Sequence, residues 1–192
     1  MEQRFFHLSF VVLFILLMVI RGYYHRQSIK YGGKADFKEN KWIRIVIAVP
    51  LVYFLVRYMI EPEFLAWADF SIYVWLQWLG LVLGVLSIFL TVWIHVNLSI
   101  NFSSLLHVRE GHTLVTTGPY KWVRHPMYTV LFVHFLSILL LTRNWIIGLV
   151  PIVIFVLVVA GRLKNEEKLM TETFGDEYRR YMEHTGRFLP GI

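Results

Sequence analysis

Two clusters of polar side chains have the residue types that bind small charged ligands, and each directly adjoins a long apolar segment. The first cluster runs from Gly118 to Tyr128 and contains an arginine, a histidine and two tyrosines. The second runs from Arg162 to Glu167 and ends in two adjacent carboxylates. Guanidinium groups donate hydrogen bonds to anions, whereas carboxylates accept them from hydroxyl and ammonium groups. We therefore expect the chemistry of this protein where the two clusters meet.

The first cluster has the pattern of a turn that leads into a helix. Gly118 followed by proline indicates a turn, and His125 is biased towards extended backbone because it precedes proline. Pro126 suits the first position of a helix, whose first free amides attract carboxylates. Arg124 lies beside these amides and adds positive charge. The alternative is an interfacial anchor, because arginine, tyrosine and tryptophan often mark a membrane boundary.

The second cluster places charged groups on a helix that leaves an apolar segment. Arg162 and Glu166 are four residues apart and share one helix face, whereas Glu167 points about 100° away. A carboxylate here could accept hydrogen bonds from ribose hydroxyls or an ammonium group, and Arg162 could hold an anionic substrate group bidentately. The alternative is a surface ion pair worth at most about 1 kcal/mol.

A short strip upstream of the first cluster combines a polar residue with two aliphatic ones. The strip runs from His112 to Val115 and includes Leu114. Such a strip could flank a flat ring such as adenine, or it could be ordinary loop packing.

The elements that must position these clusters are apolar helices. Apolar residues make up 57% of the 192-residue chain, against roughly 45–50% in ordinary globular proteins. A membrane span needs about 20 mainly apolar residues, and the sequence predicts five, over residues 5–21, 42–60, 71–96, 127–142 and 145–161. We expect the first to be a retained helix, because no small-residue cleavage site follows it. The last two form a tight hairpin around Arg143, for which a re-entrant hairpin is the alternative.

Loop charges predict the orientation of these helices. Seven lysines and arginines lie between Arg21 and Arg44, whereas the loop from Glu61 to Asp69 has none and carries three acids. The positive-inside rule places the first loop in the cytoplasm and the second outside. With five spans, the loop over residues 97–126 and the C-terminal tail then share the cytoplasmic face. Both polar clusters therefore lie on one side of the membrane.

Both clusters also resemble one known sequence signature. The residues from His112 to Val115, Gly118, Tyr120 and the run from Arg124 to Tyr128 are similar to the cofactor motif of isoprenylcysteine carboxyl methyltransferases. Glu166 and Glu167, followed by the run from Phe174 to Tyr178, resemble the second half of that signature. The resemblance covers residues 97–190 and extends to the superfamily that includes phospholipid N-methyltransferases.

The resemblance implies a methyltransferase that uses S-adenosylmethionine in a cytosolic pocket of its C-terminal half. Arg162 would orient the carboxylate of a prenylated cysteine or similar lipophilic acceptor that enters from the bilayer. The resemblance implies a multi-pass protein, with a prokaryotic inner membrane favoured and the endoplasmic reticulum expected if the source is eukaryotic. The cofactor-binding residues would be His112, Leu114, Val115, Gly118, Tyr120, His125, Pro126, Tyr128, Glu166 and Glu167.

We therefore predict an all-α polytopic membrane protein with a single domain over residues 1–192. Residues 1–96 would form three N-terminal transmembrane helices, and residues 97–192 the catalytic half. The alternatives are a phospholipid or amine N-methyltransferase, an NADPH-dependent reductase of the sterol type, and a non-enzymatic scaffold or transporter. The histidines do not have the spacing of a metal site, and the basic residues flank apolar segments, so we expect neither a metal nor a nucleic-acid partner. The sequence has no cysteine, which excludes thiolate chemistry.

Overall fold

The computed structural model describes residues 1–30, 41–98 and 113–191, and over these ranges the chain is helical, with two isolated β-bridges and no strand. The helices are α1 (Glu2–Lys30), α2 (Lys41–Ile60), α3 (Val74–Leu98), α4 (Pro126–Thr142), α5 (Val150–Phe174) and α6 (Asp176–His184). Two 3₁₀ turns, Pro62–Ala68 and Gly118–Lys121, and one π-helical turn, Trp145–Leu149, join them. The prediction of an all-α fold is confirmed.

Each of the five predicted membrane segments corresponds to one apolar helix. Three helical stretches are long and apolar enough to cross a membrane: Glu2–Gln27, Val74–Leu98 and Trp145–Phe174. The helices Ala48–Ile60 and Pro126–Thr142 are apolar but shorter. Helix α5 continues thirteen residues beyond residue 161, where the predicted membrane span ends. Because this extension begins at Arg162 and is rich in charged residues, we place it outside the hydrocarbon.

The chain divides into two compact units, each assembled from three stretches of sequence. The first unit contains Met1–Leu16, Asp36–Ile88 and Phe132–Phe155, and the second contains Leu17–Ala35, Phe89–Leu131 and Val156–Ile192. Both polar clusters of the sequence belong to the second unit.

Small residues let helices α3 and α4 approach closely in the first unit. A Cβ atom on Gly80 would lie 2.8 Å from Leu140 Cβ, and one on Gly84 would lie 2.5 Å from Ser137 Oγ. The Ser137 hydroxyl donates to the Gly80 carbonyl at 2.7 Å. Pairs of small residues four apart allow such contact in membrane helices. The spacing of these two glycines predicted helix packing, and that prediction is confirmed.

Asn144 holds the turn between α4 and the π-helical turn. This residue is fully buried, and its Oδ1 atom accepts from the amides of Ile146 and Ile147 at 3.1 Å. Its Nδ2 atom donates to Leu65 O at 2.9 Å and to Asp69 Oδ1 at 2.7 Å. One side chain thus caps the helical turn and ties it to the loop after α2. The predicted tight hairpin is confirmed.

A buried histidine joins α3 to α4 in the first unit. His134 is fully buried, and its Nδ1 atom lies 2.8 Å from the hydroxyl of Ser87. Polar groups inside membrane helices commonly form such interhelical hydrogen bonds. The sequence predicts an interhelical hydrogen bond for each of His95 and His134, which lie in or near apolar segments, and for His134 this is confirmed.

The sequence predicts that one helix ends at Gly175 and that Asp176 caps a following short helix, and the structure differs in the second of these. Gly175 has a φ of +53°, a conformation that glycine adopts without steric cost. We expected Asp176 to cap α6, but Gly175 occupies the cap position without a side-chain bond and Asp176 is the first helical residue. The Asp176 carboxylate instead accepts a hydrogen bond from Arg179 at 2.8 Å. That prediction is wrong because the backbone, not a side chain, makes the turn.

Candidate functional site

The segment after α6 pairs with the loop before α4 in the second unit. The amide of Arg124 donates to Gly186 O at 2.8 Å, and the amide of His125 donates to Arg187 O at 3.0 Å. The Thr129 hydroxyl donates to Phe188 O at 2.8 Å. Because each bond joins positions about sixty residues apart, the tail fixes the backbone on which the first polar cluster is carried.

The Arg124 side chain is used for structure. Its guanidinium donates to Met182 O at 3.0 Å and to Thr185 O, both near the end of α6. Carbonyls at a helix C-terminus lack intrahelical donors, and an arginine satisfies them well. The same group lies 3.4 Å from Glu167 Oε1. Arg124 therefore joins the end of α6 to Glu167 within the second unit, and its charge is not free for a ligand.

Two further contacts position the turn that begins the first cluster. Gly118 has a φ of +59°, and any Cβ atom there would collide with the side chain of Asn97. Glycine is therefore required at this position. The Tyr181 hydroxyl, from α6, donates to Tyr120 O at 2.6 Å.

Glu167 is the centre of an ion-pair network. Arg187 donates to both of its carboxylate oxygens, at 3.0 and 2.7 Å, in the bidentate arrangement that guanidinium groups favour. Partial burial alone would raise the pKa of Glu167, but the hydrogen bond and charge of Arg187, with the charge of Arg124, lower it. This carboxylate is ionised and already paired.

Glu166, the preceding carboxylate, has a different environment. Its Oε1 atom accepts from the Tyr128 hydroxyl at 2.5 Å and lies 3.4 Å from the guanidinium of Arg162. Burial raises the pKa of Glu166, and its hydrogen bond with Tyr128 and the charge of Arg162 offset this only in part. Among the described basic side chains, the His125 Nδ1 atom lies near its Oε2 atom, at 3.8 Å. Glu166 thus retains capacity to accept a hydrogen bond.

His125 lies between the two carboxylates as a neutral ring. Its ring stacks on that of Tyr128, with centroids 5.7 Å apart and planes at 20°. Burial lowers the pKa of His125 to about 4, although the nearby Glu167 opposes that shift. A neutral imidazole donates one hydrogen bond and accepts another. At neutral pH, His125 is therefore an uncharged side chain that can form hydrogen bonds, and it adds no positive charge to the site.

The anion site that we expected at the start of α4 is smaller than the sequence suggested. Pro126 does begin the helix, as predicted, and has no amide hydrogen. The amides of Tyr128 and Thr129 both donate to the carbonyl of His125, at 3.1 and 3.3 Å. This leaves at most the amide of Met127 for a ligand. The side chains of the cluster must therefore supply most of the binding.

The structure brings together most of the predicted site residues that it describes. His125, Pro126 and Tyr128 lie beside Glu166, Glu167 and Arg162, whereas Leu114 and Val115 are half-buried in the coil before Gly118. His112 lies outside the described residues, so its predicted role stays a prediction.

Sequence reasoning missed the residues that organise the site from a distance. Arg187 and the segment from Thr185 to Phe188 were treated as tail, because no local pattern marks a segment that pairs sixty residues upstream. The sequence indicates Arg21 as the interfacial end of the first membrane helix and as one of the loop charges. A charged residue at the end of an apolar run gives no sign that its side chain is half-buried, as that of Arg21 is on α1.

The sequence matches a known family model. The model is described as phospholipid methyltransferase, and it matches residues 75–177, more than half of the chain. This range includes both polar clusters and helices α3, α4 and α5.

Individual relatives and a solved structure agree with this match. The protein is 26% identical over 149 residues to the uncharacterized protein YpbQ of Bacillus subtilis, covering 77% of this chain and 84% of that one. It is 29% identical over 139 residues to the protein-S-isoprenylcysteine O-methyltransferase of Mus musculus, covering 71% of this chain but only 48% of the mouse protein. The chain thus spans about half of that relative's length.

The fold is similar to that of the eukaryotic intramembrane Ras methyltransferase ICMT. The TM-score is 0.60 at 23% identity, and the match covers 96% of this chain and 68% of the solved one. This similarity and the apolar helices establish the protein as a polytopic integral membrane protein. Because the family model covers both clusters, the chain belongs to the phospholipid methyltransferase family.

Proposed function

We propose that the protein is an S-adenosylmethionine-dependent methyltransferase that methylates the carboxylate of a prenylated cysteine or a similar lipophilic acceptor. The proposal depends above all on the 2.5 Å hydrogen bond between Tyr128 and Glu166, which joins the two polar clusters into one site. Family membership supports methyl transfer. The name of the mouse relative supports a prenylated cysteine carboxylate as the acceptor.

The donor set of the site fits the cofactor. S-adenosylmethionine has an adenine ring, ribose hydroxyls, an ammonium group and a carboxylate, and when bound it would supply an electrophilic methyl group. Leu114 and Val115 would flank the adenine, as would His112. Glu166 would accept hydrogen bonds from hydroxyl or ammonium groups, because its second oxygen retains capacity. Gly118, Tyr120, His125, Pro126 and Tyr128 would complete the binding surface.

Glu167 would act on the cofactor only indirectly. Its bidentate pair with Arg187 leaves it little capacity for a ligand. The same pair holds α5 against the tail segment that fixes His125. We therefore assign Glu167 a positioning role and Glu166 the direct contact.

A carboxylate acceptor needs orientation rather than a base. Carboxylates of this type have pKa values near 3.5 and are ionised at pH 7. An ionised acceptor oxygen would take the methyl group as the cofactor's sulfur–methyl bond breaks, and it has no proton to lose to the protein. Arg162 would align this oxygen, since its guanidinium can hold a carboxylate bidentately. Holding reactants in attack geometry is a large source of rate enhancement.

An amine acceptor is the second candidate, and the description of the matching family favours it. An ammonium group must lose a proton before it can attack. Glu166 has a pKa raised by burial and could accept that proton. The two candidates therefore differ in whether Glu166 takes part in the reaction.

The site would face the cytoplasm of a bacterial inner membrane, or of the endoplasmic reticulum in a eukaryote. The positive-inside distribution supports the cytoplasmic side. A lipophilic acceptor would reach the site from the bilayer.

Methyl transfer to two acceptors tests the proposal. Purified protein in detergent is supplied with radiolabelled S-adenosylmethionine and either N-acetyl-S-farnesylcysteine or phosphatidylethanolamine. We expect label in the farnesylcysteine as a base-labile ester. Transfer to the phospholipid alone would select the amine candidate, and transfer to neither would contradict the assigned acceptor classes.

The Arg162→Ala variant tests the orienting role, with Lys164→Ala as the matched control because Lys164 is exposed two residues away on α5. We expect Arg162→Ala to reduce turnover roughly 100-fold, with a much smaller effect on the affinity for S-adenosylhomocysteine. An unchanged rate would remove Arg162 from the mechanism.

A further inference from the structure

Arg21 is a half-buried arginine with no anionic partner among the described residues. It lies on α1, where the apolar run ends. The other guanidinium groups of the site each have a carboxylate: Arg124 and Arg187 pair with Glu167, and Arg162 pairs with Glu166. A buried charge is costly unless it is paired. An arginine in this position is therefore suited to binding an anion that comes from outside the chain.

The face of α1 that carries Arg21 points into the second unit. Tyr24 is three residues further along and lies on the same face. Its ring stacks on that of His95, with centroids 4.3 Å apart and planes at 27°. His95 is itself buried on α3. This stacking fixes the rotation of α1, so that Arg21 is turned towards α3 and not towards lipid.

Arg21 is also close to the candidate site. Its guanidinium lies within electrostatic range of the Tyr128 phenol and of the His95 ring. Tyr128 is the residue that donates to Glu166. A ligand group held by Arg21 would therefore lie near the joined clusters, although α1 is outside residues 75–177 that the family model matches.

The charges of the site leave room for two anionic groups. Four guanidinium groups, those of Arg21, Arg124, Arg162 and Arg187, face two carboxylates, while His125 stays neutral. Two positive charges are thus unmatched by the acidic side chains that the structure describes. The carboxylate of the acceptor would supply one negative charge, whereas the cofactor brings its own ammonium and sulfonium charges together with its carboxylate.

We propose that Arg21 binds the carboxylate of the lipophilic acceptor, together with Arg162, so that α1 contributes to acceptor selection. This inference rests on the proposed function, because it takes the acceptor to be an acid. Arg162 is already tethered to Glu166, whereas Arg21 is available for bidentate binding. Because Arg21 lies outside the matched family region, it would select among acceptors without altering the cofactor site.

Substitution of Arg21 tests the inference. The variants are Arg21→Gln, Arg21→Lys and, as a matched control, Arg26→Gln, because Arg26 is exposed on the same helix. The measurements are KM for N-acetyl-S-farnesylcysteine and the affinity for S-adenosylhomocysteine. A third measurement is the inhibition, by this acid and by its methyl ester, of the methylation of a second prenylated cysteine. We expect Arg21→Gln to raise KM at least tenfold, about 1.4 kcal/mol, and to weaken acid inhibition equally. Inhibition by the ester and cofactor affinity should change less than about twofold.

Arg21→Lys should recover part of the lost affinity for the acid, because it keeps the charge but not the bidentate geometry. Retained S-adenosylhomocysteine binding shows that each variant is folded. If Arg21→Gln behaves like Arg26→Gln, or if it weakens cofactor and acid equally, the inference is wrong while the proposed function stands. If the wild-type protein does not methylate the acid, the proposed function fails and the inference fails with it.

Discussion

At the scale of single residues, the adjacent carboxylates Glu166 and Glu167 illustrate how neighbours set chemical roles. Glu167 is held by Arg187 and Arg124, and its pKa is lowered despite the cost of burial. Glu166 bonds Tyr128, and burial raises its pKa. One carboxylate is thus committed to the fold, and the other retains capacity for a ligand. The sequence presented them as equivalent.

Neutralising these two residues should therefore affect stability differently. Glu167→Gln leaves two guanidinium groups without a carboxylate, so we expect it to lower the free energy of unfolding by about 1–3 kcal/mol. Glu166→Gln leaves Arg162 without its carboxylate but also removes a charge that burial disfavours, so the two effects offset and the net change should stay within about 0.5 kcal/mol. Thermal unfolding of the two variants in detergent measures both. Equal destabilisation would contradict the division of roles.

The lowered pKa of His125 predicts a pH-dependent stability. The unfolded chain binds a proton near pH 6.5, whereas folded His125 binds one only near pH 4. The stabilising contribution is therefore complete above pH 6.5 and is lost as the pH falls towards 4. Between pH 6.5 and 4.5, we expect wild-type stability to fall by roughly 1–2 kcal/mol more than that of His125→Gln. Parallel unfolding curves for the two proteins would show that His125 is not buried as described.

At the scale of helices, periodicity and loop chemistry predicted most of the fold. Apolar runs located all five apolar helices, Pro126 marked the start of α4, and Gly175 marked the end of α5. These features are local, because helix starts and stops depend on a few neighbouring residues. The π-helical turn at Trp145 was not predicted, since it depends on Asn144.

The same distinction applies to the candidate site. Residue types indicated which side chains belong to the site, and most of those described do lie together. The sequence could not show that the tail holds the loop, that Tyr128 bonds Glu166, or that Arg21 is turned inward. Each of these depends on contacts between residues far apart in the chain, for which a single sequence has no local pattern.

Close packing of the hairpin predicts that one glycine cannot be replaced. A Cβ atom on Gly148 would overlap the backbone of Leu139, which cannot move aside as a flexible side chain would. We expect Gly148→Ala to lower the free energy of unfolding by about 1–3 kcal/mol. Gly161→Ala is the control, because nothing lies within 4 Å of its Cβ position on α5. That variant should be neutral or up to about 1 kcal/mol more stable, and a neutral Gly148→Ala would contradict the packing.

At the scale of the whole molecule, loop charges predict which side of the membrane the site faces. The chain contains no cysteine, so a single introduced cysteine reports its own position. Arg180 on α6 and Glu63 in the turn after α2 are both exposed. We expect an impermeant maleimide to label Arg180→Cys in inside-out vesicles and Glu63→Cys in right-side-out vesicles. The reverse pattern would place the site outside the cytoplasm.

The central claim is that the joined clusters form a site for an adenosyl cofactor. Calorimetric titration of the purified protein with S-adenosylhomocysteine tests it most directly, with NADPH as the competing ligand and Glu166→Gln as the site variant. We expect micromolar binding of S-adenosylhomocysteine, weakened at least tenfold in Glu166→Gln, and no binding of NADPH. Binding of NADPH alone, or no binding of either ligand by folded protein, would contradict the claim.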